Sequence, residues 1–175
     1  MENTTNITEE ILIALRRVIR AIDQHSRNLI QSHGLTGPQA LMLKEIVRCP
    51  GITGSELAKR ISLSQPTVTD VIKRLEGKDL LERTRDLDDK RKIILRATDR
   101  GKALIKQSVP LLQEKFETRL NELRDWEQLQ LLSSLQRIAE MMNAEDIDAS
   151  PVLTSGAITA TAAAVENAVI PPTED

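Results

Sequence analysis

The stretch SLSQPTVTDVIKRLEGK, residues 62 to 78, holds two kinds of side chain that a helix would sort onto opposite sides. Val68, Val71, Ile72 and Leu75 recur at helical spacing and form an apolar stripe. Gln65, Thr67, Thr69 and Asp70 are short, polar and crowded at the leading end, and Lys73 and Arg74 follow one turn later. Short donors and acceptors at the start of a helix suit close approach to base edges in the DNA major groove, and two cations one turn on reach phosphates. Farther along, DLDDKRK at residues 86 to 92 packs three acids and three cations into one turn. A charged hairpin tip of this kind can place an arginine in the neighbouring minor groove, where narrow stretches are most negative.

The flanking elements must hold that helix and that turn in place. Residues 8 to 32 carry Ile11, Leu15, Val18, Ile22, His25 and Leu29 at spacings of 4, 3, 4, 3 and 4, a near-heptad seam with Thr8 as its expected cap and Gly34 just past its end. A second helix is expected over 38 to 49, with Pro38 in its first turn and Pro50-Gly51 as its stop. Thr53 and Glu56 have capping-box spacing and open a short helix through Ile61. Ser64 caps the polar-headed helix, with Pro66 in its first turn, and that helix runs to Gly77. Leu80 to Arg85 and Arg91 to Thr98 read as the two strands of a hairpin around the charged turn. A long helix is expected from Thr98 to Leu123, kinked or locally broken at Pro110, then a last one capped by Asp125 with Gln128.

The order of elements is that of a winged helix-turn-helix inside a helical frame. The fold class is mainly α, with a two-stranded β-wing flanked by long N- and C-terminal dimerisation helices. The expected divisions are 1–35 for the first dimerisation helix, 36–98 for the winged helix-turn-helix, 99–142 for the C-terminal dimerisation helices and 143–175 for a tail. The tail has six acids and no Lys or Arg and is rich in Ala and Thr, so it is expected to be flexible and dispensable for DNA binding. Its weakest point as a free tail is Ile147 to Leu153, whose apolar residues could dock.

Composition narrows the function. Phe116 and Trp126 are the only aromatic residues in 175, which leaves an aliphatic core and argues against single-strand binding by base stacking. Residues 59 to 102 hold 13 Lys and Arg against 8 Asp and Glu, a net of +5. Residues 103 to 175 hold 5 against 12, a net of −7. A basic middle beside an acidic end fits a polyanion partner, or equally an unevenly charged solvated surface. Cys49 is alone, which suits a reducing compartment, and no apolar run reaches the ~20 residues of a membrane span, so the chain reads as soluble and cytoplasmic. With two histidines, one cysteine and no nucleophile elbow or phosphate loop, no enzyme activity, cofactor or metal site is expected. Cys49 reads as a small core residue more than a redox switch, with Arg48 beside it in the sequence, and His25 as a buried, hydrogen-bonded seam residue.

Three stretches resemble the MarR family of bacterial transcription regulators: LTGPQALML, GSELAKRISLSQPTVTDVIKRLEGKDLLER and DDKRKIILRATDRGKAL. The resemblance covers roughly residues 8 to 142, and Arg96-Ala97-Thr98 departs slightly from the usual Leu-Thr. It implies a homodimer, with both chain ends at the interface, bound to a pseudo-palindromic double-stranded operator and acting as a repressor. The DNA-binding set is then Ser64, Gln65, Pro66, Thr67, Thr69, Asp70, Lys73, Arg74, Arg85, Lys90, Arg91 and Lys92, with Asp88 and Asp89 shaping the wing turn. Control by a small-molecule effector is frequent in the family, and Arg17, Arg20, His25 and Arg27 are the groups its geometry offers. WEQLQLLSSLQRIAEMM and IDASPVL look like the subgroup associated with ectoine and other compatible-solute genes, which would mean a role in osmotic stress. The rival reading is a protein-interaction module built on the same scaffold, without DNA reading. Salt separates the two, because phosphate neutralisation makes DNA affinity fall log-linearly with salt concentration.

Overall fold

The computed structural model describes residues 6–87, 89–107, 111–147 and 152–155. Asn6 opens the first helix: its side-chain oxygen accepts from the Thr8 N–H at 3.1 Å, so the cap lies two residues before the Thr8 expected to provide it. Helix α1 (Ile7–His33) ends at Gly34, whose φ of +65° lets its N–H turn back to the Ile30 carbonyl at 2.7 Å. Lys78 covers the same terminus by donating to the Gly34 carbonyl. Only the last turns of α1 enter the core, through Ser26, Leu29 and Ile30, while Ile11 and Val18 at its other end stand in solvent.

Helix α2 (Gly37–Arg48) is buried along most of one side, with Met42, Leu43 and Ile46 fully covered. Gly51, at φ +88°, then turns the chain so that its own N–H reaches the Leu95 carbonyl at 3.0 Å. That contact begins strand β1 (Ile52–Thr53), an element beyond those expected from the sequence. The Thr53 and Glu56 capping box is present: Thr53 Oγ1 accepts from the Glu56 N–H at 3.3 Å, and Glu56 Oε2 accepts from the Thr53 N–H at 2.9 Å. These backbone and hydroxyl donors hold the Glu56 carboxyl below its ordinary pKa. Helix α3 (Gly54–Arg60) follows, then α4 (Gln65–Gly77), capped by Ser64 as expected.

Strands β2 (Leu81–Arg85) and β3 (Ile93–Ala97) are each shorter than their sequence-derived bounds and pair antiparallel from Leu81↔Ala97 to Arg85↔Ile93. Strand β1 joins the free edge of β3 through Ile52↔Leu95 and Thr53↔Ile94, so the wing is a three-stranded sheet in the order β1-β3-β2 and not a lone hairpin. A two-stranded ribbon is marginal by itself, and the added strand ties the wing to the turn after α2.

The single helix expected from Thr98 to Leu123 is two helices, α5 (Asp99–Lys106) and α6 (Leu112–Asn121). The break falls where the proline sits, although Pro110 itself lies outside the described residues. The last helix, α7 (Asp125–Met141), is capped by Arg124 and Glu127, whose Oε2 accepts the Arg124 N–H at 2.9 Å, rather than by Asp125 with Gln128. Gln128 instead donates to the Leu123 carbonyl at 3.0 Å.

No described residue of α6 or α7 is buried. Phe116, Trp126, Leu129, Leu132 and Leu135 are all roughly half exposed or more, and they continue the apolar character of the outer end of α1. The tail reading needs one correction. Val152 is 4% exposed and belongs to the core, and Ser155 N–H donates to Ser26 Oγ at 3.0 Å, so residues 152–155 pack on α1 and are not free. Apolar burial at Val152 outweighs the polar composition around it. Residues 156–175 lie outside the described residues.

Gly101 is where α5 meets the hairpin. A Cβ at that position would collide with the Leu80 carbonyl oxygen, which also accepts the Thr98 N–H at 3.2 Å. Alanine is favoured over glycine inside a helix by about 1 kcal/mol. Gly101→Ala should nonetheless lower the unfolding free energy by about 1–3 kcal/mol, because backbone must move to admit the methyl. Urea unfolding at fixed protein concentration reads this directly, and an unchanged midpoint would refute the close contact.

Candidate nucleic-acid interface

Helix α4 is amphipathic in the way its sequence predicts. Val68, Val71, Ile72 and Leu75 are each 5% exposed or less and seat the helix on the core. On the other side Gln65, Thr69 and Lys73 are exposed at i, i+4 and i+8, a line along one face. Pro66 and Ser64 are exposed at the leading end, and Thr67, Asp70 and Arg74 are partly covered.

The hydrogen bonds divide these side chains by availability. Ser64 and Thr67 share a hydroxyl–hydroxyl contact of 2.8 Å, and Ser64 Oγ also accepts the Thr67 N–H at 3.4 Å. Both hydroxyls therefore serve the cap. Thr69 Oγ1 donates to the Gln65 carbonyl at 2.9 Å, the usual back-bond of threonine in a helix. Asp70 and Arg74 pair at 2.9 Å across one turn through Nε, so the carboxylate takes that edge of the guanidinium. Gln65 and Lys73 keep their polar ends unengaged within the described residues, as a base-edge reader and a phosphate contact would require.

The wing tip is built by two aspartates. Asp86 Oδ1 accepts the Asp89 N–H at 2.8 Å, and Asp89 Oδ1 accepts the Arg91 N–H at 3.1 Å. Backbone bonds from Lys92 to the Asp89 carbonyl at 2.8 Å and from Asp86 to the Lys92 carbonyl at 3.0 Å close the loop. Asp89 engages the backbone N–H of Arg91 and not its exposed guanidinium. Asp88 lies outside the described residues. Arg85, Lys90, Arg91 and Lys92 are all exposed, and none of them is in an ion pair among the described residues.

Reading helix and wing are clasped to each other by residues that spacing alone does not single out. Glu76 near the end of α4 accepts from Arg83 on β2 at 2.6 Å. Beside it, Lys78 has its pKa lowered by partial burial and by the neighbouring Arg74. Cys49 is half-buried next to Arg60, whose Nη1 lies 3.3 Å from the thiol and 2.9 Å from Glu45. The guanidinium at the thiol is therefore that of Arg60, while Arg48 pairs with Glu45 at 3.3 Å.

The four effector residues do not converge within one protomer. Arg20 and Arg27, seven apart, share a face of α1, and Arg17 and Arg20 are exposed. His25 is half-buried on another side, lining a crevice with Ser26, Leu29 and Val152.

Residues 35–93, from two residues before α2 to the first of β3, match the model of the MarR family. That segment is similar to the winged helix of the MarR family. TtmR, a transcriptional regulator of the helix-turn-helix type from Methylorubrum extorquens, is 29% identical over 59% of this chain and 53% of its own length, so the match spans about half of that relative. The uncharacterised regulator YsmB of Bacillus subtilis is 26% identical over 74% of this chain and 88% of its own. The solved structure of the transcriptional regulator SlyA superposes with a TM-score of 0.53 at 29% identity, covering 78% of this chain and 95% of that one. A Staphylococcus aureus MepR–DNA complex shares the fold, with a TM-score of 0.54 at 22% identity over 74% of this chain and 96% of its own. The likeness in fold to these solved structures therefore extends beyond the matched segment into the helical frame.

The Glu76–Arg83 clasp is open to measurement without DNA. A double-mutant cycle with Glu76→Ala and Arg83→Ala should return a coupling of about 0.5–1 kcal/mol, weakened by salt, as for partly exposed pairs. A cycle that closes to zero would mean the wing is oriented by the strand ladder alone.

Proposed function

We propose that the chain is a homodimeric, sequence-specific transcription regulator, acting as a repressor, that reads a two-fold-related double-stranded DNA operator. The observation that carries this reading is the joint exposure of Gln65 and Lys73 on α4 with Arg85, Lys90, Arg91 and Lys92 on the wing. That surface is cationic and unneutralised, next to a helix whose polar leading end faces solvent. In this reading α4 enters the major groove, Gln65, with Thr67 and Thr69 beside it, contacts base edges, and Lys73 contacts phosphate. Arg91 enters the adjoining minor groove while Asp89 holds its turn. Asp70 sets the position of Arg74, which adds to the phosphate contacts.

The apolar outer faces of α1, α6 and α7 are the proposed dimer surface. Unpartnered stripes of this length are too apolar for a small domain to leave in water. A C₂ dimer would place two copies of α4 on half-sites about one helical turn apart. Light scattering should give a dimer at micromolar concentration, and a helical monomer there would remove the operator model.

Regulation of compatible-solute genes and response to an effector extend the proposal. The first rests on the resemblance carried by WEQLQLLSSLQRIAEMM and IDASPVL, and mapping of bound DNA across the source genome tests it. The second rests on family geometry and requires a ligand with unequal affinity for DNA-competent and incompetent dimers.

Base and backbone contacts respond differently to substitution. Arg91→Ala should weaken operator binding by about 1–3 kcal/mol with folding and dimerisation intact. Gln65→Ala should change which operator variants bind. Lys73→Ala should weaken all sequences alike and reduce the salt slope by about one unit. Titrations on matched and scrambled duplexes at several salt concentrations distinguish these outcomes. Normal affinity in Arg91→Ala with unchanged preference in Gln65→Ala would place DNA reading elsewhere.

A further inference from the structure

Helix α1 meets the reading head over a short stretch. Helix α2 packs against α3, α4, α5 and β3 and pairs Lys44 with Glu114 of α6 at 2.6 Å, whereas α1 buries only Ser26, Leu29 and Ile30 of its described residues, in its last turns, with Lys78 at its terminus. Across this junction runs the segment Val152–Ser155. Val152 is 4% exposed, and the crevice between it and α1, lined by His25, Ser26 and Leu29, is about 10 Å³, with room for no more than a water; on its other side Val152 lines a wider cleft with Lys44 and Glu114. Ser26, itself 3% exposed, donates to the Ile22 carbonyl at 2.9 Å, accepts the Ser155 N–H at 3.0 Å and meets Thr154 Oγ1 at 3.3 Å. On the α2 side, a Cβ at Gly37 would lie 3.1 Å from Thr154 Cβ and 3.6 Å from Val152 Cγ2. The first helical residue of the head is thus a glycine against which the strap lies.

From this geometry we infer that Val152–Ser155 is a positioning strap: it binds the end of α1 to the start of α2 and sets the angle of each reading head on the dimer frame. Val152 and Ser26 are its anchors, and Gly37 is the clearance that lets it close. None of the three touches the proposed DNA surface. The strap acts on operator reading by fixing the separation of the two α4 helices, so its loss relaxes the required spacing of half-sites and does not simply weaken every complex. This inference rests on the dimeric operator reading for its DNA consequence, and on the monomer geometry alone for its mechanical one.

Three full-length variants test it: Val152→Asp, which makes burial of the anchor costly; Ser26→Ala, which removes the hydrogen bonds; and Gly37→Ala, which crowds Thr154 while favouring the helix. The first measurement needs no DNA. Hydrogen exchange at the Ser155 amide and the first turn of α2 should quicken by at least about fivefold in the variants, with the α4 core amides still protected. Fast exchange of Ser155 in the unmodified protein, or unchanged exchange around Gly37 in all three variants, overturns the strap. The second uses a duplex selected from a random library by the unmodified dimer, alongside the same duplex with one base pair inserted between half-sites. The preference for the selected spacing should fall by at least about fivefold in the variants, by loss of preorganisation. An equal loss of affinity for both duplexes would reduce the strap to a stabilising role and overturn the inference. If no duplex is selected at all, the DNA reading fails, while the exchange measurement still decides the strap. Should Val152→Asp not fold, Gly37→Ala and Ser26→Ala carry both measurements.

Discussion

The reading helix α4 and the central wing strand β3 are held by aliphatic packing against α2, and β2 is held in turn by β3 and α4. Met42, Leu43 and Ile46 on that helix are wholly buried, and they meet the undersides of α4 and α5 and the inner face of the sheet. With no aromatic ring in this body, its rigidity comes from interlocking Leu, Ile and Val, whose close packing transmits small displacements instead of absorbing them. The contact of Gly101 with the Leu80 backbone belongs to the same constraint: α5 lies too close to the hairpin to accept even one methyl. The polar surface of α4 is therefore free to be chemically exposed, because nothing on that side is needed to keep the helix in place.

Much of this was legible in the chain. Ser64, Pro66 and the Val68–Leu75 stripe mark α4 by local rules that tertiary structure had no reason to override, and Thr53 with Glu56 and Gly34 behave as their spacing says. The break near Pro110 follows from the missing donor. What escaped are features made by distant residues. Strand β1 is two residues long and forms only because Gly51 turns toward Leu95. Glu76 meets Arg83 across a turn, with no periodicity to announce it. The apolar residues of Ile147 to Leu153 mark the Val152 strap as able to dock, but not what it docks on. Of the site residues, exposure of Gln65, Lys73 and the wing cations follows from helix and hairpin geometry. Asp70 and Arg74 were recognisable as a one-turn ion pair, yet the sequence alone does not say whether they face each other or a phosphate.

Charge is distributed between the parts by use. Several acids of the head are occupied: Glu45 with Arg48 and Arg60, Asp70 with Arg74, Glu76 with Arg83, and Asp86 and Asp89 with backbone in the wing. Exposed cations at the wing tip and on α4 are left over. An overall charge of −2 thus hides a head whose outward field is positive, and long-range attraction to a polyanion depends on that local field.

The single tryptophan, Trp126, opens α7 and is 58% exposed in the isolated chain, and Phe116 on α6 is the sole other ring. Near-ultraviolet emission from this protein accordingly originates entirely in the frame. Association that covers α7 would move the indole into a drier setting and shift its spectrum, whereas melting or rotation of the reading head alone would leave that signal untouched. The molecule carries a built-in optical label for its assembly and is dark where it would meet DNA.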